Sequence, residues 1–238
     1  MEGRDYDPWE PVNEKVFSFN YDVVDHYGLK PVATLWARAL PHLLTRGLVN
    51  AFDNIDMPQR FVNNVLQGRL QGANRELTRF LVNSTVGIAG IFDVATEFGF
   101  EKSHADSAQT LGVYGVGPGP YLVLPFMQPL TVRDAIGYGI DTLLDPIGYL
   151  APFAANFSRS AVKRVNERAT NLQLYEDVEE SSLDLYSAVR NGYLQSREHS
   201  ISRAVEERDS ETEWTLLRTI FSGEDTSEPT ADEASQDR

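Results

Sequence analysis

Residues 80–92 read Phe80-Leu-Val-Asn83-Ser-Thr-Val-Gly87-Ile-Ala-Gly90-Ile-Phe92, a run without a single charge. Leu77, Phe80, Leu81, Ser84 and Ile88 recur at helical spacing, which predicts a helix from Ala73 to about Ile91. Its second half is apolar nearly all round, the pattern of a helix that is either deeply buried or in contact with lipid. Gly87 and Gly90 let another backbone approach closely. A core helix and a lipid-facing helix both satisfy this pattern. The chain has no run of about 18 apolar residues, so no transmembrane helix is expected.

Short amphipathic helices are predicted on both sides of this run. Upstream, Phe17, Tyr21, Val24 and Tyr27 share a face between Glu14 and Tyr27, and Pro31 suits the first turn of a helix carrying Leu35, Trp36 and Leu40. Leu44, Leu48, Phe52 and Ile55 mark a helix from Leu43 to Asp56. Asp56 and Pro58 then read as the cap and first turn of another, Gln59 to Gln67, with Phe61, Val62, Val65 and Leu66 buried and Gly68 ending it. Downstream, Thr131 and Asp134 form a capping box for a helix carrying Ile136, Ile140, Leu143 and Leu144, which ends at Asp145-Pro146. Two longer helices are predicted from Ser158 to Tyr175 and from Leu183 to about Val205.

Between these helices stands Gly112-Val-Tyr114-Gly115-Val116-Gly117-Pro-Gly119-Pro-Tyr121-Leu-Val-Leu-Pro125. Its glycines and prolines forbid a regular helix, so it is an irregular loop with Tyr121 to Leu124 extended. A phosphate-binding loop fails on mechanism: no Lys-Ser/Thr follows, and prolines stand where a helix would have to open.

The 238 residues carry 21 Lys+Arg against 35 Asp+Glu, a net charge of −14, which argues against nucleic acid as the main partner because phosphate contacts need clustered cations. Eleven acids and three bases fall between Glu206 and Arg238, so −8 of that charge sits in the last segment and only −6 in residues 1–205. The expected organisation is one helical unit, 1–205, followed by an acidic, disordered tail, 206–238. Within the tail, Trp214, Leu217 and Phe221 give Glu213 to Phe221 an apolar register, either a partner-binding helix or an extension of the preceding one. The absence of cysteine excludes disulfides, thiol nucleophiles and Cys-ligated metals. His26, His42, His104 and His199 lack metal-ligand spacing, and no nucleophile elbow is present. Neither a catalytic residue, a metal nor a cofactor is expected. Residues alone point to a helical protein handling something apolar, lying in a membrane interface or enclosing a ligand.

Specific blocks sharpen this. Asp7-Pro-Trp-Glu-Pro-Val-Asn13, Phe17-Ser-Phe-Asn20 and Leu29-Lys-Pro-Val-Ala33 resemble the start of the MlaA/VacJ family of outer-membrane lipoproteins. So do Phe61-Val-Asn-Asn-Val-Leu-Gln-Gly68, Arg79-Phe-Leu-Val-Asn-Ser-Thr-Val-Gly87, Phe92-Asp-Val-Ala95 and Gln109-Thr-Leu-Gly-Val-Tyr-Gly-Val-Gly-Pro-Gly-Pro-Tyr121. Leu124-Pro-Phe126, Thr131-Val-Arg-Asp134 and Asn191-Gly-Tyr-Leu-Gln-Ser-Arg197 follow in the family's order, so the resemblance covers roughly residues 7–200.

The resemblance implies an all-α, ring-like assembly of short amphipathic helices around a central amphipathic channel, with a Gly/Pro-rich hairpin loop. It implies a ring in the inner leaflet of the Gram-negative outer membrane that removes mislocalised phospholipids from the outer leaflet. These pass to a soluble periplasmic lipid carrier, which maintains lipid asymmetry, and family members associate with trimeric porins. The competing reading is an adaptor that links porins to the carrier without conducting lipid. Tyr114, Gly115, Val116, Gly117 and Gly119 match the family's flexible hairpin and are the expected gating loop. Trp36, Phe52, Phe61, Phe80, Leu81, Ile88 and Ile91 are expected in the membrane-embedded rim or apolar helix, and Asn50 and Ala51 correspond to a rim segment. Asn83, Arg133, Asp134 and Asp141 are candidates for polar lining. The family carries an export signal and an acylated cysteine, so residue 1 is expected to lie beyond the lipidation site. The acidic tail is expected either to attract a basic carrier or merely to solubilise.

Overall fold

The computed structural model describes residues 7–222, apart from 146–147 and 149–151. Helix α1 (Glu10–Ser18) continues without a break through a π-helical stretch, Phe19–Leu29, into α2 (Lys30–Ala39). Then follow α3 (His42–Ile55), α4 (Met57–Leu66), α5 (Leu70–Thr85), the short α6 (Val94–Glu97) and α7 (Ser107–Val113). A two-stranded hairpin pairs β1 (Tyr121–Leu122) antiparallel with β2 (Leu130–Thr131), Tyr121 opposite Thr131. The chain ends in α8 (Val132–Leu143), α9 (Phe153–Thr170), α10 (Leu172–Ser181) and α11 (Leu185–Ser222). The fold is all-helical, as the residue pattern implied.

The partition of polar and apolar residues is inverted. Among the described residues, the largest fully buried side chains are Gln67, Glu76, Asn63, Asn64, Asn166 and Thr131, whereas Leu35, Leu43, Leu44, Leu81 and Phe98 are exposed. Helix α4 displays the inversion most clearly. Arg60, Asn63, Asn64 and Gln67 stand at i, i+3, i+4 and i+7 and form its inward stripe, while Val65 and Leu66, expected to be buried, are 43% and 49% exposed. Phe61 and Val62 lie between these extremes.

Buried polar groups of this size are stable only when bonded to one another. Arg60 Nε donates to Glu76 Oε2 at 2.8 Å, and the Ser103 amide donates to Glu76 Oε1 at 2.6 Å. Asn64 donates to Ser103 Oγ at 3.0 Å, Gln67 to Thr110 Oγ1 at 2.9 Å, and Thr110 in turn to Asn63 Oδ1 at 2.7 Å. Asn63 and Ser107 both donate to Asp141, which joins α4 and α7 to α8. Aromatic packing has a smaller share: Tyr121, Val123 and Tyr186 form a cluster against Phe17 and Tyr193. Asn13 locks the hairpin to it, donating to Tyr121 O at 2.9 Å and accepting from the Val123 amide at 3.0 Å. Asp7 accepts from both Asn13 and Tyr186 Oη, so the Asp7…Asn13 motif serves as a clamp.

Several boundaries differ from expectation. The run 80–92 is not one helix: α5 stops at Thr85, and Ile88, Ala89 and Gly90 take positive φ of 53°, 56° and 87°. The chain turns back because α3 holds it. Asn50 donates to Ile91 O at 3.0 Å and Asn54 to Ser84 Oγ at 2.9 Å, and a Cβ on Gly90 would fall 2.6 Å from that of Asn54. Ile88 and Ile91 therefore sit on an exposed turn instead of a helix face. The face expected from Phe17 to Tyr27 is kept for Phe17, Tyr21 and Val24, which share one wall, while the π-helical winding of 19–29 leaves Tyr27 exposed. Asp56 makes no cap bond and takes Lys163 instead. The predicted 158–175 helix breaks at Asn171. The boundary at 205/206 falls inside α11, which runs to Ser222, so the start of the expected tail is helical, and Glu213 to Phe221 extends that helix. The stop at Asp145-Pro146 and residues 223–238 reach outside the described residues. The capping box at Thr131 and Asp134 and the stop at Gly68, φ 76°, are as expected.

Replacing Glu76 with Leu strands the buried Arg60 guanidinium and is expected to cost roughly 3–5 kcal/mol. Adding Arg60→Met should recover part of that loss, leaving mainly the unsatisfied Ser103 amide. Thermal unfolding in detergent followed by circular dichroism measures both; a double variant no more stable than the single one would contradict the role assigned to the pair.

Candidate functional site

A cavity of about 520 Å³ opens between the π-helical stretch, the hairpin tip, α9, α10 and the start of α11. The π winding builds one wall. Asn20 and Asp25, like Val24 and Leu29, are five residues apart and both pairs line the cavity, a spacing that α-helical winding would spread over different faces. Phe17, Tyr21, Leu174, Val178, Ala188 and Val189 make the remaining surface largely apolar. The size falls within the about 300–1,000 Å³ typical of ligand pockets.

Charge is confined to one patch of this wall. Arg168 Nε and Nη2 donate to the two Asp25 oxygens at 2.9 Å each, and the guanidinium lies 4.2 Å from the Tyr175 ring centroid. Burial opposes the Arg168 charge, but Asp25 outweighs it and holds the guanidinium above its ordinary pKa. Glu167 has its pKa raised by burial against the pull of Lys163 and Arg164. At the mouth, Asn20 donates to Leu124 O and accepts from the Phe126 amide, both at 2.9 Å, while Phe19 meets Phe126 edge-on at 5.7 Å. The hairpin tip is thus fastened to the π-helical wall.

The residues expected to gate and line a channel lie elsewhere. Tyr114, Gly115, Val116, Gly117 and Gly119 are exposed and do not line this cavity. Gly119 and Arg133 line a second cavity, of about 820 Å³, beside α11. Gly115, φ 85°, ends α7: its amide donates to Gly112 O at 2.9 Å and the Val116 amide to Leu111 O at 3.0 Å, the bond pair of a left-handed helix stop. Tyr114 Oη donates to Leu66 O, and Arg133 Nη1 to Val116 O. Of the three loop glycines 115, 117 and 119, only Gly117 combines open space for a Cβ with an ordinary φ.

Of the polar candidates, Asn83 donates to Asp93 and accepts from the Ala95 amide, which shapes the turn into α6. Asp134 caps α8 and takes Arg197 Nη2 at 2.7 Å; burial pushes its pKa up, but Thr131, Tyr193 and Arg197 together hold it below the usual carboxylate range. Asp141 belongs to the buried network. In the expected rim, Leu81, Ile88 and Ile91 are exposed, while Trp36, Phe52, Phe61, Phe80, Asn50 and Ala51 are half-buried. Trp36 donates to Asn166 at 3.0 Å. Sequence reasoning singled out none of Asp25, Glu167 and Arg168 as a site residue. Asp25 and Arg168 lie 143 positions apart and meet only through the fold.

Outward apolar side chains, a bonded polar interior and an amphipathic cavity define a helical protein built for a membrane surface. No described helix is long and apolar enough to cross a membrane. The MlaA lipoprotein family model matches residues 5–200, and the chain belongs to that family. An uncharacterized protein of Rickettsia bellii (strain RML369-C) is 37% identical over 198 residues, covering 82% of this chain and 77% of its own. The intermembrane phospholipid transport system lipoprotein MlaA of Escherichia coli (strain K12) is 33% identical, covering 82% and 78%. A solved chain described in work on the structural basis for maintenance of bacterial outer membrane lipid asymmetry superposes with a TM-score of 0.75 at 33% identity, covering 82% of this chain and 99% of that one.

The two loop glycines should respond differently to a methyl group. Gly115→Ala forces an L-residue into the left-handed region and is expected to lose roughly 1–2 kcal/mol, whereas Gly117→Ala should leave thermal stability in detergent unchanged. Equal losses would show that Gly117 too is conformationally required.

Proposed function

We propose that this chain carries phospholipid between membranes at the outer membrane of its cell, without catalysing a reaction. In this reading it withdraws phospholipids from the outer leaflet and passes them to a soluble periplasmic carrier, in company with trimeric porins, so that the two leaflets keep different compositions. The observation that carries the proposal is the 520 Å³ cavity, apolar over most of its wall and ion-paired over the rest, inside a shell whose own apolar side chains point outward. Relatives named as phospholipid transport lipoproteins support the same reading.

Phospholipid transfer must shelter acyl chains from water and a charged headgroup from hydrocarbon at the same time. Phe17, Val24, Leu29, Val178 and Val189 would hold the chains. Asp25 and Arg168, with Arg164 and Glu167 beside them, offer both signs of charge to a headgroup. A lipid enters this cavity by displacing water from an apolar wall and exchanging hydration for the ion-paired patch, so neither half is stranded. Leu35, Leu43, Leu44, Leu81, Ile88 and Ile91 form the surface that meets lipid outside. The hairpin tip at the mouth admits lipid when its two bonds to Asn20, at Leu124 O and the Phe126 amide, are released.

Gly192 lines the cavity and a Cβ there would meet nothing within 4 Å, so a side chain added at this position starts without a clash at its first carbon. Gly192→Trp is expected to leave the helical content intact and to cut phospholipid transfer to acceptor vesicles at least tenfold, with loss of outer-membrane detergent resistance in cells. A folded variant with unaltered transfer would rule out this cavity as the passage. Retention of phospholipid by the purified chain, identified by mass spectrometry and lost in the variant, separates a conduit from an adaptor.

A further inference from the structure

A polar cavity of about 550 Å³ lies between the start of α5, the segment before α7 and the middle of α11, and none of its lining residues belongs to the amphipathic cavity. Five cationic side chains line it beside three carboxylates, Glu101, Asp106 and Glu207; with Asp53 and Asp134 paired to two of the cations the charges balance over the cavity as a whole, and the positive excess is local to one corner. Two of the cations are neutralised locally: Lys102 lies 2.7 Å from Asp53, and Arg197 is paired with Asp106 and Asp134. The remaining three share one acid. Arg69 donates to Glu207 Oε2, Arg75 Nη2 lies 3.8 Å from the same oxygen, and Arg203 Nη2 lies 3.6 Å from Oε1. One carboxylate among three guanidinium groups leaves a surplus of positive charge.

Guanidinium groups converging on one oxygen-bearing anion match the geometry of phosphate recognition, where planar forks meet several acceptor oxygens. We propose that this cavity is a phosphate-binding site, in which the phosphate of a phospholipid headgroup or of a soluble phosphate compound displaces Glu207 from Arg69, Arg75 and Arg203. Glu207 holds the three arginines in place by charge, so binding is an exchange of one anion for another. A doubly charged inorganic phosphate would offset more of that positive charge than the carboxylate it replaces, whereas the singly charged phosphodiester of a lipid headgroup would exchange with Glu207 one charge for one. Glu207 is also a tie between α11 and α5, joined one turn later by Glu211, which accepts from the Gln71 amide at 2.9 Å. Displacing Glu207 therefore loosens α11 from the start of α5. The site itself does not depend on the transport reading; only its filling by lipid does.

The test uses the full chain in detergent, with isothermal titration calorimetry against inorganic phosphate and, separately, against a short-chain phosphatidylglycerol below its micellar concentration. Arg75→Gln combined with Arg203→Gln should weaken phosphate binding at least tenfold, and Glu207→Gln should strengthen it several-fold by removing the competing charge. Both changes fall on partly exposed side chains, and circular dichroism checks the fold. Phosphate affinity that ignores both variants, or binding too weak to measure even in Glu207→Gln, overturns the proposal. Binding of phosphatidylglycerol that follows the same order of variants identifies the lipid headgroup as the source; a response to inorganic phosphate alone identifies a soluble compound. Gly192→Trp serves as the control for the other cavity: it should abolish transfer and leave phosphate affinity unchanged, so failure of either idea is read separately.

Discussion

Glu76 accepts from Arg60 and from the Ser103 amide while no part of it reaches water, and the rest of the polar interior is arranged around that contact. A shell whose leucines and phenylalanines point outward gains little from burying them when its helices associate, because those side chains stay exposed. Cohesion then has to come from packing and from hydrogen bonds made inside. The chain of contacts from Arg60 and Glu76 through Asn64, Ser103, Gln67, Thr110 and Asn63 to Asp141 links α4, α5, α7 and α8 in that way. Each member uses its partners' donors and acceptors, so the network is sound only when complete. Inward-facing Ala73, Ala105 and Ala108 are small enough to let the polar side chains reach one another.

The same logic, applied among other helices, yields a cavity in place of a packed interior. Arg168 and Asp25 satisfy each other bidentately, which lets a charged pair stand in an apolar wall without stranding either charge. The π-helical winding makes this possible by aligning residues five apart, so that Asp25 stands beneath Asn20 and both face inward. Asn20 in turn fixes the hairpin tip through two backbone bonds. One irregular helical stretch therefore sets the wall, the charge patch and the mouth together. An ordinary α-helix over the same residues would turn part of that set toward lipid.

Local features of the sequence were legible because they depend on neighbours in the chain. The capping box at Thr131 and Asp134, the stop at Gly68 and the irregular loop after α7 all follow from residue types at short range. The family blocks were legible too, and the structure gives some of them a physical reason: Asp7 and Asn13 clamp the hairpin, and Asn63, Asn64 and Gln67 fill the interior. What failed was the inference from apolar to buried. Val65 and Leu66 were assigned inward by a rule that presumes water outside, and the periodicity was read with the wrong face. The run 80–92 failed for a different reason. Its helical spacing continues past Thr85, but Asn50 and Asn54 on α3 capture the backbone and turn it left-handed, which only the tertiary contact decides. The Asp25–Arg168 pair and the π winding have no local signal at all.

The acidic end of the chain also changes meaning once its contacts are known. Charge counted along the sequence suggests a segment that repels itself, yet Glu207 and Glu211 are spent on the start of α5, where Arg69, Gln71 and Gly72 receive them. Arg69 is almost wholly buried, and Glu207 and the Gln67 side-chain oxygen both accept from it there. The acids of α11 thus balance cations that the polar interior requires, while the outward leucines and isoleucines carry none of the charge. Separating charge from the apolar surface in this way lets a strongly acidic chain keep an uncharged apolar exterior while its ion pairs are gathered along cavity walls and the polar interior.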